Sequence, residues 1–354
     1  MPFLPARRRA LLGALAALPA LPFAAVSAPD RPRTGRPAPE AARYADHPAA
    51  MAFADAVAAA HGLDAGLLRR QIGQARRIDS VRRLIMPPPA GVAKNWAAYR
   101  ARFIEPQRVQ AGLAFWRSHE RWLELAEERW GVPPEIVVSI VGIETFYGRV
   151  MGNFRVIDAL ATLAFDFPTG RRDRSAFFRS ELEELFVLAQ REGSDPLAVK
   201  GSYAGAMGLP QFMPSSVNRY AVDFDGDGHI DLHANAADVV GSVAHYLAAF
   251  GWQRDMPTHY GVAVPVDTSD RAALLAPDIL PTFSAAQFAE RGAQLDPAGQ
   301  AHVGPMALVE LQNGALAPSY VAGTQNFYTV TRYNWSSYYA MAVIDLAAAL
   351  RRGR

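Results

Sequence analysis

The stretch Val132-Pro-Pro-Glu-Ile-Val-Val-Ser-Ile-Val-Gly-Ile-Glu-Thr-Phe-Tyr-Gly-Arg149 decides how the rest of the chain is interpreted. Its two prolines, Pro133 and Pro134, suit the first turn of a helix, where missing N–H donors cost little. The six Ile and Val residues that follow are spread over nearly all faces of that helix, which predicts that it is buried. One ionisable residue, Glu144, lies in this apolar run.

The position of Glu144 gives its carboxyl group an unusual environment. A carboxyl group among apolar neighbours is disfavoured as an anion, so the pKa of Glu144 should be raised. A carboxylic acid that stays protonated near neutral pH can protonate a leaving-group oxygen, which makes Glu144 a candidate general acid. The alternative is a structural glutamate whose carboxyl group is satisfied by an arginine or by backbone groups. The helix pattern alone leaves both interpretations open.

Residues 1–28 have the pattern of a signal peptide. Arg7–Arg9 precede an apolar run, Leu11–Val26, which ends in the small-residue pattern Val26-Ser27-Ala28. The run is short for a membrane-spanning helix. We therefore expect export to the periplasm, by the ordinary secretory route or the twin-arginine route. Residues 29–45, rich in Pro, Ala and Arg, are predicted to be a flexible lead-in.

Charge and cysteine content exclude several function classes. The 354-residue chain has a formal net charge of +2, but residues 1–28 contain three arginines and no acid, so the remainder has a charge of −1. A near-neutral protein offers no electrostatic case for binding nucleic acid. The absence of cysteine rules out disulfides, thiolate zinc sites, a cysteine nucleophile and a lipid-modified cysteine. No membrane anchor is therefore expected.

Helical patterns predominate on both sides of the central stretch, whereas residues 256–325 have the composition of strands and turns. The runs Val262–Val266 and Met306–Leu311, separated by Gly, Pro and Asp, predict a small inserted domain that contains β-strands. The predicted fold class is mainly α, with a helical domain (46–130), a core (131–255), the inserted domain (256–325), a return segment (326–350) and a disordered tail (351–354). The predicted helices are 48–61, 67–85 with Asp64 as N-cap, 96–103, 105–130, 158–165 with Asp158 as N-cap, 175–191, 238–250 and 338–350.

A glycine-rich loop, residues 201–215, follows the central stretch. Its glycines allow the backbone to approach whatever lies beside it. It lacks the Lys-Ser/Thr ending of a phosphate-binding loop and does not follow a strand, which argues against nucleotide binding. Ser202, Tyr203 and Gln211 are suited to hydrogen bonding and stacking with a neutral polar ligand such as a sugar. The alternative is a structural turn that binds no ligand.

The loop Asp223-Phe-Asp-Gly-Asp-Gly-His-Ile-Asp231 matches the calcium loop of an EF-hand. It has carboxylates at loop positions 1, 3 and 5, and Asp231 at position 9 can act through water. Position 12 is Ala234 instead of a bidentate Glu, so the nearest acid that can close the shell is Asp238, at position 16. A single loop predicts a structural calcium site; the alternative is an Asp/Gly turn that binds nothing. The predicted ligands are Asp223, Asp225, Asp227, the His229 carbonyl and Asp238.

Four motifs occur in one order along the chain: Gly142-Ile-Glu-Thr-Phe-Tyr-Gly148, the Ser202–Pro214 loop, the Asp223–Asp238 loop and Thr331-Arg-Tyr-Asn334. Together they closely resemble the lytic murein transglycosylase B family, glycoside hydrolase family 103, over roughly residues 45 to 350. The resemblance implies a lysozyme-like helical core, an extra N-terminal helical domain, a small β-containing domain and a groove for the glycan strands of peptidoglycan. Proteins of cell-wall synthesis are further candidate partners.

The resemblance also assigns roles to residues. Glu144 matches the single catalytic acid/base of the family. Some relatives are lipoproteins, which a chain without cysteine cannot be. The substrate-binding residues expected on this basis are Ser202, Tyr203, Gln211, Phe212, Tyr333 and Asn334, and the metal loop matches at the five positions given above.

A single carboxyl group has a mechanistic consequence. Ordinary glycosidases need a partner carboxylate as nucleophile or as base for water. No other acid lies within one helical turn of Glu144, although a distant one could fold alongside. The resemblance implies that Glu144 acts alone and that the products end in 1,6-anhydromuramic acid. The alternatives are a muramidase of the same fold that uses water, and a calcium-dependent peptidoglycan-binding protein without activity.

Overall fold

The structure is a computed structural model that describes residues 42–87 and 93–354, so the predicted signal peptide and most of the lead-in lie outside the described residues. None of the helices in these two ranges is long and apolar enough to cross a membrane. The helices are α1 (Pro48–His61), α2 (Ala65–Gly73), α3 (Asp79–Leu84), α4 (Trp96–Ala101), α5 (Pro106–Ser118), α6 (Glu120–Trp130), α7 (Pro134–Thr145), α8 (Val156–Phe165), α9 (Ser175–Glu192), α10 (Pro214–Tyr220), α11 (Ala236–Ala249), α12 (Thr268–Leu275), α13 (Ala285–Glu290), α14 (Pro297–Gln300), α15 (Gln325–Tyr333) and α16 (Ser337–Gly353).

The expected buried helix is α7, which lies at the centre of the main hydrophobic core. Every residue of α7 except Glu144 is buried, and α5, α6, α11 and α16 pack around it. Its C-terminal end is held by Arg108 of α5, whose buried guanidinium donates a hydrogen bond to the Gly142 carbonyl and lies 4.4 Å from the ring centroid of Phe146. Phe146 and Tyr147 then turn the chain away with φ values of 51° and 56°. The mainly α fold predicted from the sequence is confirmed.

The strands form two antiparallel sheets. A two-stranded sheet joins β1 (Phe154–Arg155) to β2 (Lys200–Gly201) and so leads directly into the glycine-rich loop. The second sheet consists of β3 (His259–Ala263), β4 (Gln294–Leu295), β5 (Ala307–Asn313) and β6 (Leu316–Gly323). Its strands lie in the order β4-β3-β6-β5 and, with α12, α13 and α14, enclose a small separate core around Phe288 and Met306. The predicted strand character of this segment is confirmed, although three helices also belong to it.

Two of the long helices predicted from the sequence are each divided into two shorter helices in the structure. The prediction of one helix over 67–85 is wrong because residues 74–78 break it: the backbone N–H groups of Arg76 and Ile78 donate to the side chains of Asp158 and Thr162 on α8. Tertiary hydrogen bonds here replace helical ones. Residues 105–130 likewise form α5 and α6, which meet at His119.

Four predicted boundaries also need correction. Asp158 lies inside the first turn of α8, paired with Arg155 at 2.7 Å, rather than at its N-cap. Asn235 caps α11, so Asp238 lies in its first turn instead of beginning it. Part of the predicted flexible lead-in is ordered, because Tyr44 is buried and its hydroxyl donates to Asp166 at 2.6 Å. The predicted disordered tail continues α16, with Arg351 paired with Glu135 and Arg354 with Glu120.

Phe224 anchors the acidic loop to the helices. Its ring lies 5.8 Å from the ring of Trp122 and 5.2 Å from that of Trp130, both on α6. A Cβ atom built on Gly241 of α11 would lie 2.5 Å from the Phe224 ring, which no real contact allows. The missing side chain of Gly241 is therefore what lets α11 pack against the loop.

Gly241→Ala is expected to lower the free energy of unfolding by about 1–3 kcal/mol, because the added methyl must displace Phe224 from a packed site. Denaturant unfolding followed by circular dichroism measures the change. Gly66→Ala in α2 is the comparison: its nearest contacts, at 3.2 and 3.3 Å, are ends of the Asp64 and Arg70 side chains that need to move by only a few tenths of an ångström, so its loss of stability should be clearly smaller. Equal stability of Gly241→Ala and the wild type would contradict this packing argument.

Candidate active site and metal centre

Glu144 combines a mostly apolar surrounding with one strong hydrogen bond. The residue as a whole is half-buried, and burial is the main influence on its carboxyl group. Burial raises the pKa of Glu144 to about 7, and the hydroxyl of Tyr339, which donates to Oε1 at 2.6 Å, opposes this rise. Among the described residues, no other charged group shifts this pKa. The carboxyl group can therefore exist in both protonation states near neutral pH.

Four tyrosines surround this carboxyl group. The pKa values of Tyr99, Tyr246, Tyr333 and Tyr339 are all raised, mainly by burial, and the negative charge of Glu144 adds to each shift. The rings of Tyr333 and Tyr339 are stacked at 6.4 Å with an interplanar angle of 12°. All four phenols therefore remain neutral, and they border Glu144 with hydroxyl groups that carry no charge.

The glycine-rich loop is joined to α7 and to the C-terminal segment through consecutive backbone carbonyls. Thr145, next to Glu144, donates its hydroxyl to the Leu209 carbonyl at 3.1 Å. Tyr333 donates its hydroxyl to the Pro210 carbonyl at 2.6 Å. Gln211 has a φ of 50°, and its side-chain amide donates to the carbonyls of Gly208 and Met151. Three segments far apart in sequence thus meet beside Glu144.

The close approach of this loop depends on its glycines. A Cβ atom on Gly201 would lie 2.2 Å from the Ala206 carbonyl oxygen, and one on Gly208 would lie 2.5 Å from the Leu232 carbonyl oxygen. The glycines therefore do allow close approach, and what lies beside them is other backbone of the same chain.

Two of the predicted binding residues offer polar atoms with unused capacity. The Ser202 hydroxyl oxygen accepts hydrogen bonds from the N–H groups of Ala204 and Ala206, which leaves its own proton to donate. Asn334, at the C-terminal end of α15, has a buried side-chain oxygen without a hydrogen-bond partner among the described residues. Buried polar atoms usually have partners, so this oxygen is a candidate ligand contact.

The structure places the other two predicted residues differently. Phe212 is buried, and its ring centroid lies 5.8 Å from that of Tyr333 and 5.3 Å from that of Tyr246. It therefore packs against the tyrosines. Tyr203 is buried too, but the charge that acts on its phenol is that of Arg171 rather than Glu144.

Sequence reasoning did not identify Tyr339 or Tyr99 as site residues. Tyr339 is 195 residues from Glu144 and lies in an ordinary amphipathic helix, where a buried aromatic residue indicates core packing. Tyr99 comes from α4, and its buried hydroxyl has no partner among the described residues. No local motif marks either residue, because both act through contacts formed only in the folded chain.

The acidic loop forms a compact set of oxygen donors. Carboxylate oxygens of Asp223, Asp225 and Asp227 lie within 4.8 Å of one another. Asp223 accepts hydrogen bonds from the N–H groups of Gly226, Asp227 and Gly228, which hold the loop in shape and lower its pKa. Three ionised carboxylates at this separation repel one another unless a cation lies between them, and oxygen donors suit a hard cation such as Ca²⁺.

The other two predicted metal ligands are outside this group of three. Asp238 is fully buried, and its two oxygens accept hydrogen bonds at 2.8 Å from the N–H groups of Phe224 and Asp231. It therefore joins the two ends of the loop. The side chain of His229 is exposed, and the backbone N–H of this residue donates to the Asp227 carboxylate at 2.9 Å.

Comparisons with known proteins agree with this arrangement. The family profile described as Transglycosylase SLT domain matches residues 45–348. The Escherichia coli (strain K12) protein named membrane-bound lytic murein transglycosylase B is 42% identical over 320 residues, which cover 88% of this chain and 85% of that protein.

Solved structures share the fold. The E. coli lytic transglycosylase Slt35 in complex with calcium is 41% identical, with a TM-score of 0.75 over 88% of this chain and 95% of that one. SltB3 from Pseudomonas aeruginosa in complex with NAG-anhNAM-pentapeptide is 31% identical, with a TM-score of 0.70 over 85% of this chain and 79% of that one. The lysozyme-like helical fold expected from the sequence is confirmed.

Tyr339→Phe is expected to raise the pKa of Glu144 above about 7, because it removes the hydrogen bond that favours the carboxylate. Carbon-13 NMR of the glutamate carboxyls, with the Glu144 signal assigned by its loss in Glu144→Gln, measures the midpoint. Tyr338→Phe is the matched control, since that hydroxyl donates to the Gln312 carbonyl instead. A midpoint unchanged or lowered in Tyr339→Phe would contradict the assigned role.

Proposed function

Since the chain belongs to the lytic murein transglycosylase B family and is a peptidoglycan lytic transglycosylase, we propose that Glu144 is its single general acid and base. The observation that carries this proposal is the Glu144 carboxyl group, whose pKa of about 7 arises from burial and one tyrosine hydrogen bond. A group that titrates near the working pH can both give and take a proton within one catalytic cycle.

The first step is proton donation. Protonated Glu144 gives its proton to the oxygen between N-acetylmuramic acid and N-acetylglucosamine as the C1–O bond breaks. The negative charge that appears on Glu144 is stabilised by the Tyr339 hydroxyl, already 2.6 Å from Oε1. Because the hydrogen bond is formed before the reaction, little reorganisation is needed when the charge develops.

The second step returns the proton to Glu144. The carboxylate takes the proton of the 6-hydroxyl on the same muramic acid, and that oxygen bonds to C1 to close the 1,6-anhydro ring. No water is consumed. The 6-hydroxyl is already attached to the reacting sugar, and such proximity can contribute roughly 7–11 kcal/mol when alignment is good.

The electrostatics of the site favour this route over hydrolysis. A hydrolase needs a second carboxylate to act as nucleophile or to activate water. No described carboxylate shifts the pKa of Glu144, and the phenols on which its charge acts, such as those of Tyr333 and Tyr339, are neutral. A binding protein without activity would not need a buried acid, so the enzyme is also favoured over that alternative.

Neutral polar groups supply the sugar contacts in this proposal. Ser202 has a hydroxyl proton to donate, and Asn334 has an unused oxygen to accept from an acetamido N–H. Gln211, Tyr333 and Phe212 act mainly on the loop, through the contacts described above. The location we propose is the periplasm, where the glycan strands of peptidoglycan are the partner; proteins of cell-wall synthesis stay candidates.

We also propose that the acidic loop holds a structural Ca²⁺. Asp223, Asp225 and Asp227 would provide carboxylate ligands and His229 its carbonyl, while Asp238 fixes the two ends of the loop. A related structure in complex with calcium supports this assignment. The ion would cancel the repulsion between the carboxylates and so stabilise the loop and its contacts with α6 and α11.

Digestion of purified sacculi in heavy-oxygen water tests the proposed reaction. The released muropeptides should end in 1,6-anhydromuramic acid, lighter than the hydrolytic product by one water and without label at C1. Mass spectrometry reads both properties. Labelled reducing ends would show instead that the enzyme is a hydrolase.

Glu144→Gln is the paired variant for this experiment, since it keeps the volume and polarity of the side chain. It should lose activity by a factor of about 10²–10⁴ or more while still folding, because it removes the proton donor. The free energy of unfolding of the wild type should fall between about pH 4.5 and about pH 7, because the buried Glu144 carboxyl group has a raised pKa and becomes charged in this range. Glu144→Gln should not show this fall. Activity within a few-fold of the wild type would exclude Glu144 as the acid.

Calcium at a hundredfold excess over its Kd should stabilise the native protein by about 3 kcal/mol, measured as a rise in melting temperature that a chelator reverses. Asp225→Asn combined with Asp227→Asn should abolish the rise. Asp173→Asn, in an exposed turn before α9, is the control and should retain it. A melting temperature of the wild type that calcium does not move would refute the site.

A further inference from the structure

A cavity of about 230 Å³ opens between the four-stranded sheet and the start of α16. Its polar lining consists of Lys94, Asp278, Glu310, Gln312, Ser337 and Tyr338. Pockets for whole small-molecule ligands usually measure roughly 300–1,000 Å³, so this cavity suits the end of one side chain rather than a chain of sugars. Three formal charges around so small a volume are also more than a neutral sugar would use.

The charges around this cavity do not neutralise one another. Among the described residues, the side chains of Lys94 and Asp278 form no hydrogen bond or ion pair, and no ion pair joins Lys94 to Glu310. The Glu310 carboxylate is held in place by the Tyr320 hydroxyl at 2.8 Å and the Gln312 amide at 3.1 Å. The lining therefore offers one ammonium and two carboxylates, a set of charges that suits a group which itself carries both signs.

The cavity lies near the proposed catalytic site. Ser337 and Tyr338 begin α16, and the next residue is Tyr339, the hydrogen-bond donor to Glu144. The Tyr338 ring also lies 5.8 Å from the ring of Tyr99, whose pKa is raised in part by the charge of Glu144. Tyr99 therefore lies between the cavity and Glu144, and the distance is one that a peptide attached to a bound sugar can span.

We propose that this cavity binds the stem peptide of the glycan strand, and that it takes the end of a diamino acid side chain carrying both an ammonium and a carboxylate group. Lys94 pairs with the carboxylate, and Asp278 and Glu310 pair with the ammonium. This inference rests on the proposed function and specifies its substrate as peptide-bearing rather than stripped glycan.

The test uses three synthetic glycans that differ only in the peptide: one bearing diaminopimelic acid, one bearing lysine at the same position, and one without peptide. Lysine keeps the ammonium and lacks the carboxylate. Wild-type kcat/KM should be about fivefold higher for the diaminopimelic acid substrate than for the lysine substrate, as expected for a partly exposed ion pair. Lys94→Gln should remove this preference and leave the rate on peptide-free glycan unchanged.

Two further variants make the outcome specific. Asp278→Asn should lower kcat/KM for both peptide substrates equally, because both carry the ammonium. The chain contains only two lysines, and Lys200, exposed on β2 outside the cavity, provides the matched control Lys200→Gln, which should retain the preference.

The outcomes separate this inference from the proposed function. Anhydro products from the wild type without any preference between the two peptides, or a preference that survives in Lys94→Gln, would overturn the peptide site alone. Products with reducing ends, or no cleavage of any of the three glycans, would overturn the proposed function itself.

Discussion

Desolvation of the Glu144 carboxyl group is the constraint on which the rest of the structure depends. An isolated buried carboxylate is costly, so the site must supply a partner that stabilises the anion without holding it permanently ionised. A neutral hydroxyl from Tyr339 meets this requirement, whereas an arginine would lower the pKa far more. Arg108 lies nearby but donates to the Gly142 carbonyl instead, so its charge supports the end of α7 and leaves the acid free to titrate.

The site is assembled mainly through the backbone of the glycine-rich loop. Thr145 and Tyr333 donate to neighbouring carbonyls of this loop, so α7 and the C-terminal segment are fixed to the same few residues. Carbonyl acceptors do not depend on side-chain identity, so these contacts leave the hydroxyl proton of Ser202 in the same loop available for the ligand. The glycines make the geometry feasible because a Cβ atom at Gly201 or Gly208 would collide with backbone.

How much of this could be predicted follows from the range of the interactions. The burial of α7, the raised pKa of Glu144 and the acidic loop could be predicted because each depends on residues close together in sequence, and the structure agrees with these predictions. The break between α2 and α3 is not local, since side chains of α8 replace the helical hydrogen bonds. A second non-local feature is the pair of backbone hydrogen bonds that Asp238 accepts across the loop, while its role as a calcium ligand stays a prediction.

The position of α16 has a consequence for biosynthesis. This helix runs antiparallel to α7, with Tyr339 at its start beside Glu144 and Arg351 near its end beside Glu135. Glu144 is synthesised 195 residues before its hydrogen-bond donor. A nascent chain that still lacks α16 therefore contains the acid but not the helix that completes its environment. The environment of Glu144 is complete only when α16 has docked, so we expect a chain that lacks this helix to be without lytic activity.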